Sequence, residues 1–397
     1  MSTTETTRAY EKLKVIDTDS HLTEPHDLWI KRAPANMRER VPQVRMVDGQ
    51  RCWMIDGNKS IGTGARPVSS IAKDGSKARG LSHWNFQIED VHRGCYDATA
   101  RVALMEELGI WAQVLYPNLL GFGGHKSAQV DPALRLLCVQ IFNDAMAEFQ
   151  EESRQRLFPM ALLPWWDVDL AVKEGERAAA MGLRGININS DPHVHKDQQG
   201  KLLPDLGDPY WDPLWGMCCD RQLPVNFHIG AREHSIDWYG DQGWPSLPKD
   251  ERHGAGGSML FFNNGRIMAN IIYSGLLDRY PKLKFVSVES GVGWIPFFLE
   301  SLEYQYKEMV RDDRLEHTPA EYFRRNFYAC YWFEHDCLAE TIKAIGADNL
   351  MFETDFPHPT CLYPVDRQTY RLPGLTQEER RKVLSTNAAS LYRIPVN

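Results

Sequence analysis

Apolar residues in this chain fall into short unbroken runs of strand length, each followed by a stretch in which they recur at helical spacing. At the first strand, Leu13, Val15 and Ile16 give way at once to Asp17, Asp19 and His21. From Asp90 onward the pairing of run and periodic stretch repeats. The spacing predicts a helix over 98–108 stopped by Gly109, a strand over 112–117, a helix over 132–154, a strand over 157–163, and a helix over 168–181 closed by Gly182. Further strands are expected at 185–189, 223–229, 283–289, 327–332 and 350–355. Counting 15–19, eight strands alternate with helices. Such alternation implies parallel pairing, and eight units imply a closed (β/α)₈ barrel rather than an open sheet. The α/β barrel is expected to fill residues 13–397 behind a polar tail at 1–12.

One segment breaks the rhythm. From about residue 30 to 90 the chain reads as an insertion after the first strand, with two short strands over 44–55 around an Asp48-Gly49 turn and a second turn at Asp56-Gly57-Asn58. Residues 61–80 are rich in Gly and Ser, carry Arg66, Lys73 and Lys77, and read as a mobile flap near the first strand.

Composition narrows the class. A hydrophobic fraction of 43% and a charged fraction of 25% are those of a globular protein, and a net charge of −8 argues against a nucleic-acid partner. The eight cysteines contain no Cys-x-x-Cys pair, which argues against a zinc ribbon and a disulfide framework and makes a reducing cytoplasm the expected location. The first residues lack the apolar segment of a signal peptide, and no apolar run reaches the roughly 20 residues needed to cross a bilayer.

In a barrel of this kind active sites sit at the carboxyl ends of the strands. Here strand one ends in Asp19 and His21, strand four in Asn187 and Asn189, strand five in His228, strand six in Glu289, and strand eight in Asp355 with His358 beyond it. Taken singly, each has a bland reading: a capped strand end, a buried histidine bonded to a carbonyl, a structural salt bridge. Together, Asp19, His21, His228 and Asp355 offer two carboxylates and two imidazoles, a set suited to Zn²⁺ or Mn²⁺.

The segments Asp17-Thr-Asp-Ser-His21, Asn226-Phe-His-Ile-Gly230, Val288-Glu-Ser-Gly-Val-Gly-Trp294, Glu353-Thr-Asp-Phe-Pro-His358 and Asn387-Ala-Ala-Ser-Leu-Tyr392 resemble the amidohydrolase-related branch of the amidohydrolase superfamily. That branch contains aminocarboxymuconate-semialdehyde decarboxylase and resorcylate decarboxylase. The resemblance spans roughly residues 13 to 395 and implies a distorted barrel with one divalent metal ion, Zn first and Mn or Fe as alternatives. It places the strand-one metal pair on Asp19 and His21, the strand-five histidine on His228 and the strand-eight aspartate on Asp355, and it implies a homo-oligomer.

Two departures shape the expected chemistry. Decarboxylases of the branch usually end strand six in a histidine, whereas this chain has Glu289-Ser290-Gly291, a carboxylate that acts as a base or reaches the metal itself but offers no cationic donor. Asp19 is also shorter than the usual Glu. The carboxylated lysine of two-metal relatives has no counterpart on strand four, so one metal is expected. On these grounds the leading expectation is a mononuclear metal-dependent hydrolase of an amide, ester, thioester or lactone, with His228 on the metal, Asp355 shuttling the proton and Glu289 as second base. The alternative is a non-oxidative decarboxylase or hydratase, with Asp355 managing the proton at carbon. A third reading is a barrel that binds its ligand without turnover.

Arg66, Asn187, His253 and Trp294 are the candidate contacts to a small-molecule substrate, Arg66 meeting a carboxylate. Many tryptophans in predicted mouth loops suit an aromatic or polycyclic substrate, although most are expected to anchor loops or subunit contacts. The segment 232–259, with Trp238, Tyr239 and Trp244, reads as a long loop forming a pocket wall or a subunit contact. His193 and His195, after Asp191-Pro192, are expected at the surface.

Overall fold

The computed structural model describes residues 13–62, 64–197, 199–231, 243–366 and 368–396; the expected tail at 1–12 lies outside them. Strands β1 (Val15–His21), β5 (Ile110–Tyr116) and β6 (Leu157–Pro159) pair in that order. A second run of parallel strands comprises β7 (Ala161–Leu162), β8 (Ile186–Asn187), β9 (Val225–His228), β10 (Phe285–Val288), β11 (Phe327–Tyr331) and β12 (Leu350–Phe352). The two runs join into one barrel at both seams. The expected third strand is split at Met160, its first part pairing with β5 and its second with β8. At the other seam Ser20 bridges Phe356 in parallel, Asp355 N–H donates to the Asp19 carbonyl at 2.9 Å, and His21 N–H donates to the Phe356 carbonyl at 2.6 Å.

Every strand of this barrel is buried on both faces, which is why the sequence shows apolar runs rather than alternation. Ile16, Val114, Phe158, Met160, Val286, Val288 and Met351 fill the interior, where Ala388, Ala389 and Tyr392 of the last helix join them. Val15, Ile110, Phe285, Phe327, Leu350 and Phe352 point outward to a layer of helices. That layer includes α1 (Ala98–Leu108), α2 (Pro132–Glu152) and α3 (Val168–Ala180), whose preceding aspartates, Asp97, Asp131 and Asp167, each cap the first turn.

The insertion is a three-stranded antiparallel sheet of β2 (Gln43–Val47), β3 (Gln50–Ile55) and β4 (Lys59–Ser60). Val47 pairs with Gln50, so Asp48 and Gly49 form a two-residue loop, both at positive φ (49° and 78°) as this turn requires. Two expectations are corrected here. The stretch 61–80 is packed rather than loose: Ile61, Ala65 and Ile71 are buried, and Ser70 donates its N–H to the Pro357 carbonyl at 2.9 Å and its hydroxyl to that of His358 at 3.0 Å. Within 232–259, residues 232–242, with Trp238 and Tyr239, lie outside the described residues, and much of the rest is helix α4 (Lys249–Leu260) rather than loop. All eight cysteines are free thiols. Among the described residues no helix is long and apolar enough to cross a membrane.

Candidate metal centre

A bulge shapes the first strand's end. Between Asp17 and Ser20 on β1 the partner strand advances only from Gln113 to Leu115, so β1 carries one extra residue at the point where it presents Asp19. A buried network holds this distortion. Asp17 accepts from Thr354 N–H at 2.8 Å, Thr354 Oγ1 at 2.6 Å and Gln113 Nε2 at 2.7 Å, and Arg101 of α1 donates to Gln113 Oε1 at 3.1 Å and to the His21 carbonyl at 2.6 Å. Burial pushes the Asp17 carboxyl up to about 6 against these hydrogen bonds, and burial lowers the Arg101 guanidinium to about 10.

Around that anchor the chemistry converges. His21 Nε2 lies 3.4 Å from Asp19 Oδ1, 3.4 Å from Asp355 Oδ1 and 3.2 Å from His228 Nε2; His228 Nε2 lies 3.5 Å from Asp19 Oδ1 and 3.2 Å from Glu289 Oε2. His228 Nδ1 is 2.7 Å from the Ile229 carbonyl, which fixes the ring with Nε2 toward the cluster. The structure thus brings together all five residues expected at the metal and its bases. Asp19, His21, His228 and Asp355 are fully or almost fully buried, and both oxygens of Asp19 have no hydrogen-bond donor. A carboxylate buried in that way is costly without a counter-charge. A divalent cation meets that need, and the mixed oxygen and imidazole donors fit one.

The electrostatics agree. Burial, then the charges of Glu353, Asp355 and Glu289, raise the Asp19 carboxyl well above its ordinary range. Glu289 is raised by burial and then by Asp355 and Glu353. Burial drives His21 far down, reinforced by His358 and His228, and takes His228 to about 3. Neutral imidazoles are the metal-binding form, and a cation would draw the proton from each carboxyl.

Several contributors went unassigned in the sequence. His358 stacks on His21 with centroids 3.7 Å apart, its Nδ1 is 2.8 Å from Asp355 Oδ1, and its Nε2 is 2.8 Å from Asn118 Oδ1. Its place three residues after Asp355 was the available signal. Phe122 covers His228 at 4.1 Å and His21 at 5.1 Å, a position no local pattern announces. It is held there by Asn187, whose side-chain amide donates to its carbonyl, and by Gly123, where a Cβ would come within 2.6 Å of the Asn189 backbone.

The candidate substrate contacts are more dispersed. Arg66 and His253 meet at Trp84, the guanidinium 5.9 Å from the ring centre and the imidazole edge-on at 5.3 Å; His253 is buried with Nδ1 2.8 Å from the Lys249 carbonyl. Trp294 stands apart. It bonds the Ser290 carbonyl at 2.9 Å and packs on Phe298 and Gly265 in the helix layer. His193 and His195, expected at the surface, are half-buried, His195 against Trp165 at 4.4 Å.

A parallel α/β barrel with carboxylates and imidazoles gathered at the strand ends defines the class: a metal-site barrel enzyme. The chain belongs to the amidohydrolase family, whose pattern matches residues 120–394. It is 26% identical over 312 residues to gamma-resorcylate decarboxylase of a Polaromonas species, covering 74% of this chain and 86% of that protein. An amidohydrolase from Mycobacterium avium subsp. paratuberculosis superposes over 96% of this chain and 99% of its own with a TM-score of 0.72 at 22% identity. A Polaromonas dihydroxybenzoic acid decarboxylase, with bound manganese and the inhibitor 2-nitroresorcinol, superposes over 96% and 97% with a TM-score of 0.58 at 19% identity. These findings overturn the expectation of a hydrolase: the sequence relatives are decarboxylases. The expectation had rested on Glu289 standing where decarboxylases of the branch usually have a histidine, and one residue does not fix the reaction.

Proposed function

We propose that the protein is a metal-dependent decarboxylase that removes CO₂ from an aromatic carboxylic acid, of which hydroxylated benzoates are the first type to test. One observation carries the choice of reaction: the 26% identity to gamma-resorcylate decarboxylase extends over 86% of that protein. Asp19, His21, His228 and Asp355 are the residues that would hold the ion. When bound, the ion supplies the positive charge that grips the substrate's oxygens. Manganese, present in the Polaromonas structure, is tried before the zinc expected from the donor set.

The chain's own residues do the rest. Phe122 and Tyr116, whose rings lie 4.1 and 5.1 Å from that of His228, give the site an aromatic wall suited to a flat ring. Loss of CO₂ breaks a carbon–carbon bond, leaves its electron pair on the ring carbon and requires a proton there. Asp355 handles that proton. It is fully buried, accepts from Thr360 Oγ1 at 3.1 Å and faces His358 Nδ1 at 2.8 Å, so the proton is exchanged inside the site rather than with bulk water. Asn187 holds the Phe122 wall, and Arg66 and His253 are assigned to the outer, substrate side. A homo-oligomeric, cytoplasmic enzyme belongs to the same reading.

The test is to load purified protein with Mn²⁺ and follow CO₂ release from a panel of hydroxylated benzoates, with loss of the carboxyl carbon read by NMR. One substrate converted with one CO₂ per product is the expected result. Folded, metal-loaded protein that releases no CO₂ from any of them ends the reading.

A further inference from the structure

We infer that Glu289 is itself a ligand of the ion, a third carboxylate in its shell, and not a base acting from outside it. The inference rests on the reading of the cluster as a metal centre. Two sets of donor atoms each lie within 4.8 Å of one another: Asp19, His21, His228 and Glu289 in one, His21, Glu289, Asp355 and His358 in the other. His21 and Glu289 are the members common to both.

Spacing supports direct ligation. Ligands at about 2.1 Å from one ion are separated by roughly 3.0 Å along an octahedral edge and roughly 3.4 Å along a tetrahedral one. The separations of Glu289 from His228, of His228 from His21, and of His21 from Asp19 and Asp355 are 3.2, 3.2, 3.4 and 3.4 Å. Glu289 therefore stands as close to its neighbour as the other proposed donors do to theirs. A base separated from the ion by a water would stand further out. The unpartnered Asp19 oxygens independently mark the point as one built for a cation.

The backbone is committed to this aim. Glu289 takes φ +54° directly after β10, a left-handed conformation that is unfavourable for a non-glycine residue. Asp355 does the same at φ +59° after β12. Glu289 N–H is tied to Glu353 Oε2 at 3.2 Å, which holds the turn. With three carboxylates and two neutral imidazoles the occupied centre carries a net charge of −1, where four ligands without Glu289 would leave it neutral. Such a shell is richer in oxygen and favours Mn²⁺ more than the four-ligand set does.

The experiment is Mn²⁺ titration, by calorimetry and by Mn²⁺ electron paramagnetic resonance, into chelator-stripped wild type, Glu289→Gln and Glu289→Asp. Wild type is expected to take one ion per chain. Glu289→Gln, which keeps the shape and loses the charge, is expected to bind at least 10-fold more weakly with an altered resonance line shape, while its metal-free melting temperature stays the same or rises. Glu289→Asp, which keeps the charge and loses reach, is expected to bind more weakly than wild type, and it carries the test if the glutamine variant does not fold. Both variants binding with wild-type affinity and line shape would overturn the inference and leave the metal centre standing. Wild type taking no stoichiometric ion would overturn both.

Discussion

At the scale of single residues, burial decides protonation. His125, in the loop that carries Phe122, is buried without a hydrogen bond at Nδ1, and burial lowers it to about 3. The unfolded chain protonates this histidine near 6.5 while the folded protein does not, so its contribution to stability is complete above that value and is lost as pH falls from about 6.5 toward 3. At pH 5 the loss is about 2 kcal/mol. Thermal melts of wild type and His125→Asn between pH 7.5 and 5 should converge as the pH drops, the wild type losing stability more steeply; parallel curves would refute this. The five strand-end residues were legible one by one, because a charged group ending an apolar run is conspicuous in any sequence. Phe122 was not, since its role depends on Gly123 letting the loop touch the Asn189 backbone, a contact between segments far apart in the chain.

At the scale of elements, α1 and β1 are coupled through one buried cation. Arg101 sends its guanidinium from α1 to the His21 and Gly94 carbonyls and to Gln113, which in turn holds Asp17. Replacing it with Met leaves those acceptors unsatisfied in the interior and should cost on the order of 3 kcal/mol. Arg101→Lys, which reaches fewer of these acceptors at once, should recover only part of the loss. Urea unfolding of the metal-free variants measures both, and an Arg101→Met protein as stable as wild type would show that the network is dispensable. The helix around Arg101 was predicted with the observed bounds, 98–108, from its apolar period and the Gly109 stop. The buried guanidinium was invisible there, because a charged residue on a helix is ordinarily solvated. The third strand was harder. Leu157–Pro159 and Ala161–Leu162 read as one run, because the break at Met160 comes from a change of partner strand, not of residue type.

At the scale of the whole molecule, the barrel closes by joining its first and last strands at the place where the donors meet. An ion there would hold β1, β9 and the end of β12 together, so binding should stabilise the entire fold by mass action. Free Mn²⁺ at 100 times its dissociation constant corresponds to about 2.7 kcal/mol. A rise in melting temperature on adding Mn²⁺ to chelator-stripped protein, reversed by chelator, is the expected outcome, and an unchanged melt would argue against ion binding in the folded state.

The order of apolar runs and helical periods by itself determined that this is a parallel α/β barrel with an antiparallel insertion, because each pattern reflects local geometry and burial on both strand faces. It also determined which side chains sit at the strand ends. Only the tertiary structure decided how those ends meet: the bulge that turns Asp19, the seam between β1 and the end of β12, and the approach of Glu289 to His228. These depend on distances between segments well separated along the chain, which no periodicity encodes.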